Sequence, residues 1–179
     1  MPFRGAGCQV LSRGSIPGVL ARWQDLVARG PGLAEAGRAL LYQFGVGLAF
    51  LATIRRDGGP RLHAVCPFIV DGGLYVFLVP SPKRDDLHRD GRFALHSYPC
   101  PDNEDEFYIT GQAVFEADPT SIEGLRAAFL AERDWTNRPP PGWSEQQVCE
   151  LFIDRILLTR TTGHADFHPV HSIWRSDQN

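Results

Sequence analysis

Apolar residues recur at helical spacing between Pro17 and Phe44, first as Leu20, Trp23, Leu26 and Val27 and then as Leu33, Ala36, Leu40 and Leu41. Gly30-Pro31-Gly32 interrupts the period and predicts two short helices, the second running directly into the first strand. The pattern then changes. Val46–Ile54 is a continuous apolar run, as expected of a strand covered on both sides. Asp57-Gly58-Gly59-Pro60 predicts a hairpin turn, Arg61–Val70 a second strand, Asp71-Gly72-Gly73 another turn, and Leu74–Val79 a third strand. A short helix over 82–90 precedes a fourth strand at Arg92–Tyr98 and, after an acidic loop, a fifth at Glu106–Glu116.

Asp118-Pro119-Thr120 caps a helix expected over 121–133, and Arg138-Pro139-Pro140-Pro141-Gly142 reads as a surface loop. Ser144 followed by Gln147 has the form of a capping box for a short helix to Glu150. Leu151–Thr162 reads as the last strand, and 163–179 as a polar tail with three histidines. Successive antiparallel strands joined by short turns point to a meander or barrel. Residues 1–15 form a loose arm in this reading, and 16–179 a single domain.

At 179 residues such a domain buries roughly 70% of its unfolded surface. An apolar share of 43% and a charged share of 22% describe an ordinary soluble globule. A net charge of −3 argues against nucleic acid or an anionic membrane as partner, so any positive patch is local and suits a small anionic ligand. Cys8, Cys66, Cys100 and Cys149 are far apart, with no Cys-x-x-Cys, which predicts reduced thiols in a cytoplasmic protein. No apolar run approaches the roughly 20 residues of a membrane helix, and the N-terminus lacks the apolar core of a secretion signal.

The chemistry concentrates in Val-Pro-Ser-Pro-Lys-Arg-Asp-Asp-Leu (79–87). Ser81 suits an N-cap and Pro82 the first helical position. Lys83 and Arg84 then stand beside the positive end of the helix dipole, which costs an exposed cation typically ~0.3–1 kcal/mol. Asp85 and Asp86 offset part of that cost. A phosphate at the helix start makes better sense of the pair, and a solvated charged turn is the alternative. In the second strand Arg61, His63, Val65 and Pro67 share one face, and Leu62, Ala64, Cys66 and Phe68 the other. Arg61 either completes a phosphate clamp with the helix start or pairs with a nearby aspartate.

Leu-Ala-Thr-Ile-Arg-Arg-Asp-Gly-Gly-Pro-Arg-Leu-His-Ala-Val (51–65), Asp-Gly-Gly-Leu-Tyr-Val-Phe (71–77), Ser-Pro-Lys-Arg-Asp-Asp-Leu (81–87) and Phe-Tyr-Ile-Thr-Gly-Gln-Ala (107–113) occur in that order. Together they resemble the pyridoxamine-phosphate-oxidase-like family of FMN-binding split barrels, over residues 45–116. The resemblance implies a mainly β fold, a six-stranded antiparallel split barrel with flanking short helices, and a homodimer holding FMN at the subunit interface. It implies that Arg61 and His63 lie along the phosphate and ribityl chain, with Ser81, Lys83 and Arg84 around the phosphate. Val79 and Pro80 would then be near the ring edge, and the backbone of Leu62, His63, Ala64 and Val65 beneath the isoalloxazine. Glu106 stands where the family often has a Gln that reaches the flavin from the second subunit. Trp174 would reach a neighbouring subunit's flavin. The C-terminus lacks the Leu-x-Pro ending of the vitamin oxidase, so that enzyme itself is not expected.

The functional expectation is an FMN-dependent oxidoreductase acting on a small molecule that the sequence does not specify. A non-catalytic flavin or haem storage protein and a deazaflavin-dependent reductase are the alternatives, and no side chain stands out as an acid or base. His164, His168 and His171 read as a polar tail rather than a metal or haem site, and 102–106 as a solvated acidic loop. His96 and Tyr98 share a strand face and read as barrel filling. Trp135 and Trp143 either cover the core or line a substrate pocket.

Overall fold

Asp71 and Gly72 both adopt left-handed backbone, with φ of 48° and 71°. A two-residue type I′ hairpin requires that conformation, and an Asp-Gly pair supplies it. In the computed structural model, which describes residues 20–136 and 138–177, this turn joins a strand at Pro67–Val70 to one at Gly73–Leu78. In chain order the strands are β1 (Ala49–Ile54), β2 (Pro60–Val65), β3 (Pro67–Val70), β4 (Gly73–Leu78), β5 (Arg92–Ser97), β6 (Glu106–Phe115), β7 (Gln147–Arg160) and β8 (Val170–Arg175). The helices are α1 (Trp23–Arg29), α2 (Pro31–Leu41), α3 (Pro82–Arg89) and α4 (Pro119–Glu132).

All eight strands form one antiparallel sheet in the order β2-β1-β5-β6-β7-β4-β3, with β8 added to β7. Its two ends, β2 and β3, are consecutive in the chain and separated only by Cys66. The sheet therefore curls until its ends meet, and no ladder crosses the seam at Cys66 among the described residues. The fold is a split barrel.

Three expectations change. The strand expected over Arg61–Val70 divides at Cys66, because β2 pairs with β1 while β3 pairs with β4 at the opposite end of the sheet. The helix expected from Ser144 is a single 3₁₀ turn at Trp143–Glu145. Its continuation is drawn into β7, where Val148 and Cys149 pair with Phe77 and Val76 of β4. The polar tail contains β8, which sets Trp174 opposite Ile156. The barrel thus has eight strands rather than six.

Local signals set the helices. Gly30 separates α1 from α2, and Asp25 accepts from the backbone N–H of Arg22 at the start of α1. Asp118 caps α4 by accepting from the backbone N–H of Ser121 at 2.8 Å. The barrel core is aliphatic and fully enclosed, with Leu51, Leu95, Ile109, Leu151, Ile153 and Ile156 all at 0% exposure. Phe107 reaches α2 at Gly37, where an added Cβ would stand 2.2 Å from its ring. A second cluster of Phe68, Tyr75, Leu125, Phe129 and Val148 fastens α4 to the sheet beside the seam. Among the described residues no helix is long and apolar enough to cross a membrane. The arm expected over 1–15 lies outside the described residues.

Candidate functional site

Exposure alternates along β2. Arg61 and His63 are half-buried and Val65 is buried, whereas Leu62, Ala64 and Cys66 are exposed. Arg61 stands opposite Thr53 and His63 opposite Leu51, so both share one face of β2, and Asp86 of α3 meets that face at Arg61. The Nε2 of His63 is buried and has no hydrogen-bond partner among the described residues.

The start of α3 departs from a simple cap. Ser81 occupies the N-cap position, but its hydroxyl donates to the Val79 carbonyl at 2.8 Å, while its own carbonyl accepts from Arg84 and Asp85. Pro82 takes the first helical position. Arg84 donates to the Glu145 carbonyl at 3.2 Å and so ties α3 to the turn before β7. The Lys83 ammonium has no ion pair or hydrogen bond among the described residues, and partial burial lowers its pKa.

Asp86, one turn further on, is 4% exposed. It accepts from Arg61 Nε at 2.7 Å, Arg89 Nη1 at 3.0 Å and Thr53 Oγ1 at 3.1 Å. Burial alone would raise its carboxyl, but the hydrogen bonds from Arg61, Arg89 and Thr53 outweigh it and leave the group below the ordinary aspartate range. The aspartate pairing weighed for Arg61 is therefore present.

Two depressions flank this framework. One, of about 480 Å³, is lined by Arg55, Arg56, Asp57, Arg61, Pro82, Asp85, Asp86 and Arg89. The other, of about 240 Å³, lies at the seam, where Ala64, Val65, Cys66, Val79 and Lys83 meet Phe77, Phe129, Trp135, Pro140, Trp143 and Gln146. Its aromatic wall is interlocked, since Trp143 stacks on Phe129 with centroids 5.2 Å apart and lies 4.8 Å from Phe77. Among the described residues no carboxylate lines this second cavity, and Lys83 is the one charged group there. A larger groove of about 730 Å³ runs along the outer side of α4 and shares Trp143 with the seam cavity.

The expected site residues are thus divided. Arg61 faces the arginine-lined depression, whereas Ala64, Val65, Val79 and Lys83 line the aromatic cavity. Leu62 is 62% exposed on the outer face of β2, and Pro80 is exposed in the connection from β4 to α3. Glu106 lies at the exposed start of β6, separated from β2 by β1 and β5, with His96 Nε2 3.8 Å from its carboxylate. Trp174 differs from expectation: it is 7% exposed, packed in the barrel core and covered by the Arg29 guanidinium 4.6 Å from its ring centroid. Its indole is committed to its own chain.

His164 and His171 face different neighbours, the Pro101 carbonyl and the Thr159 hydroxyl. Asp105, in the acidic loop, is buried against Arg160 and Thr161 and closes the base of β7. Sequence reasoning missed Arg89 and Thr53, which complete the set around Asp86. The three-residue spacing of Asp86 and Arg89 on one helix was the available signal. Phe77 and Phe129 were equally invisible as cavity walls, because they come from a strand and a distant helix.

No family model matches the chain, and no curated protein does. Solved structures do. A haem-binding protein from Mycobacterium smegmatis is similar with a TM-score of 0.59 and 16% identity, over 79% of this chain. The chain spans 57% of that protein's length. A NimC/NimA family protein from Clostridium acetobutylicum gives a TM-score of 0.56 at 16% identity, over 84% of this chain and 96% of the other. A protein from Listeria innocua, described as a candidate pyridoxamine 5′-phosphate oxidase, gives 0.54 at 19% identity, over 68% of this chain and 93% of the other. The likeness is one of fold, and it agrees with the split barrel described above.

Proposed function

We propose that the protein binds FMN along β2 and acts as a flavin-dependent oxidoreductase on a small molecule. One observation carries the reading: an arginine-lined depression and an aromatic-lined cavity lie at opposite ends of one strand. Pro82 lines the first and Lys83 the second, so the start of α3 adjoins both. Between Arg61 and Val65 the strand advances about 13 Å. That layout suits an elongated ligand with an anionic group at one end and a flat ring at the other.

The residues present fit such a ligand. The Arg61 terminal nitrogens make no hydrogen bond among the described residues, Lys83 lacks a counter-charge, and the buried His63 Nε2 lacks a partner. Arg61, at the arginine-lined depression beside Pro82 of the α3 start, would hold the phosphate, whereas Ser81 and Arg84 line neither hollow and engage the Val79 and Glu145 carbonyls. Lys83 would face the ring end, with Ala64, Val65, Val79 and Pro80 against the ring. FMN, when bound, supplies the redox chemistry, and the chain supplies orientation and electrostatics. Glu106 is too far along the sheet to contribute within one chain, so its proposed contact requires a second copy and a homodimer. Leu62, exposed on the outer face of β2, is available to such a copy.

Equilibrium titration with FMN, followed by flavin fluorescence, tests the reading. Saturable binding that Lys83→Met weakens at least ~10-fold is expected, since hydrogen bonds to charged groups are worth more than neutral ones. Binding of haem or a deazaflavin in place of FMN, or of no chromophore, contradicts it.

A further inference from the structure

The buried carboxylate of Asp86 sits behind two guanidinium groups that border the arginine-lined depression. The Arg61 and Arg89 side chains are 29% and 33% exposed, whereas that of Asp86 is 5% exposed. Oδ2 accepts from Arg61 Nε at 2.7 Å and from Thr53 Oγ1 at 3.1 Å, and Oδ1 accepts from Arg89 Nη1 at 3.0 Å. Arg89 Nη2 also donates to the Ile54 carbonyl. Both long side chains are therefore held from behind. Arg61 spends only Nε on the carboxylate, and its two terminal nitrogens make no hydrogen bond to a described residue.

The depression is lined by four arginines (Arg55, Arg56, Arg61, Arg89) and three aspartates (Asp57, Asp85, Asp86), which leaves one net positive charge. Across it, Arg55 is paired with Asp57. A free arginine must give up rotamer freedom when it grips an anion, and here that loss precedes ligand binding. Arg61 keeps both terminal nitrogens as donors, whereas Arg89 contributes its charge and the second protons of the two nitrogens that it already commits to Asp86 and the Ile54 carbonyl. Thr53 fixes the second carboxylate lone pair and ties the assembly to β1.

We propose that Asp86 is a positioning residue, and that it holds Arg61 and Arg89 as a pair that receives the terminal phosphate of the ligand bound along β2. The ligand's identity rests on the FMN reading above; the arginine pair does not. Arg89 thereby joins the site, and Asp86 acts only through the two arginines.

The test compares FMN with riboflavin, which has the ring but no phosphate, on the full-length protein. Asp86→Asn is expected to weaken FMN binding at least tenfold and leave the riboflavin Kd unchanged. Arg89→Met is expected to do the same while keeping the Arg61–Asp86 bond. A purely structural role predicts a lower melting temperature with FMN and riboflavin affected alike, and that result overturns the proposal. If Asp86→Asn fails to fold, Arg89→Met and Thr53→Val decide between the same two outcomes. If the wild-type protein binds neither flavin, pyrophosphate serves as the probe. A rise in melting temperature seen in the wild type and lost in Arg89→Met supports the arginine pair while removing the FMN reading. No rise overturns both.

Discussion

Pro82 and Lys83 are neighbours in the chain yet line different depressions, so the start of α3 forms the ridge between an arginine-lined hollow and an aromatic-lined one. The helix start therefore does not gather every cation onto one anion. Arg61 and Arg89 gather on one side, and Lys83 stands alone on the other.

Lys83→Met separates binding from folding. The ammonium is partly buried without a counter-charge, so its loss is expected to change stability by no more than ~0.5 kcal/mol or to raise it slightly. FMN affinity is expected to fall in the same variant. Thermal melts with and without FMN check both statements, and a large loss of apo stability contradicts them.

Acid is expected to weaken the fold through Asp86 and Asp105. Both lie below the ordinary aspartate value of 3.8, despite burial that would raise them, because arginine and other hydrogen bonds stabilise the charged form. A depressed folded value means that the stabilisation is fully present above 3.8 and is lost as pH falls through the lower folded values. Removing one partner of a buried pair costs on the order of 3 kcal/mol, so Asp86→Asn lowers stability at neutral pH and flattens the acid limb. Denaturant midpoints measured across the acid range show whether the variant curve is flatter than the wild type.

Gly111→Ala is expected to destabilise the barrel by at least about 2 kcal/mol, because the side chain has no room. An added Cβ would stand 1.8 Å from the Phe152 carbonyl oxygen, at the bulge where the β6–β7 register shifts. The folded fraction should keep its FMN affinity, since Gly111 lies away from β2 and α3. Calorimetry and titration of one sample separate the two effects.

Cys66 is expected to react with iodoacetamide ahead of Cys149. It is exposed at the seam cavity, whereas burial pushes the Cys149 thiol well up and keeps it from the reagent. FMN should slow the labelling of Cys66. Mass spectrometry of labelled peptides reads both rates, and equal protection of Cys66 with and without FMN places the ring elsewhere.

Much of the fold is legible because its signals are local. Gly30-Pro31 divides α1 from α2, Asp71-Gly72 makes a tight hairpin, and Asp118 caps α4. What escapes the sequence is set by distant partners. The chain breaks at Cys66 because β2 and β3 belong to opposite ends of the sheet, although apolar residues continue without pause through Phe68 and Ile69. The capping pattern at Ser144 yields to pairing of Val148 and Cys149 with β4. Trp174, in a tail that reads as polar, turns inward because Val170–Arg175 finds an edge of β7. The positions of Arg61 at a strand start and Lys83 in a first helical turn are readable from spacing. The hollow each one faces is not, because it depends on Asp86 behind Arg61 and on Trp143 and Phe129 across from Lys83.

The visible absorption spectrum of the purified protein, with chromatography of whatever acid releases from it, bears most directly on a flavin bound along β2. Flavin bands and released FMN are the expected result. A Soret band, a deazaflavin spectrum, or a colourless protein that added FMN leaves unchanged would contradict it.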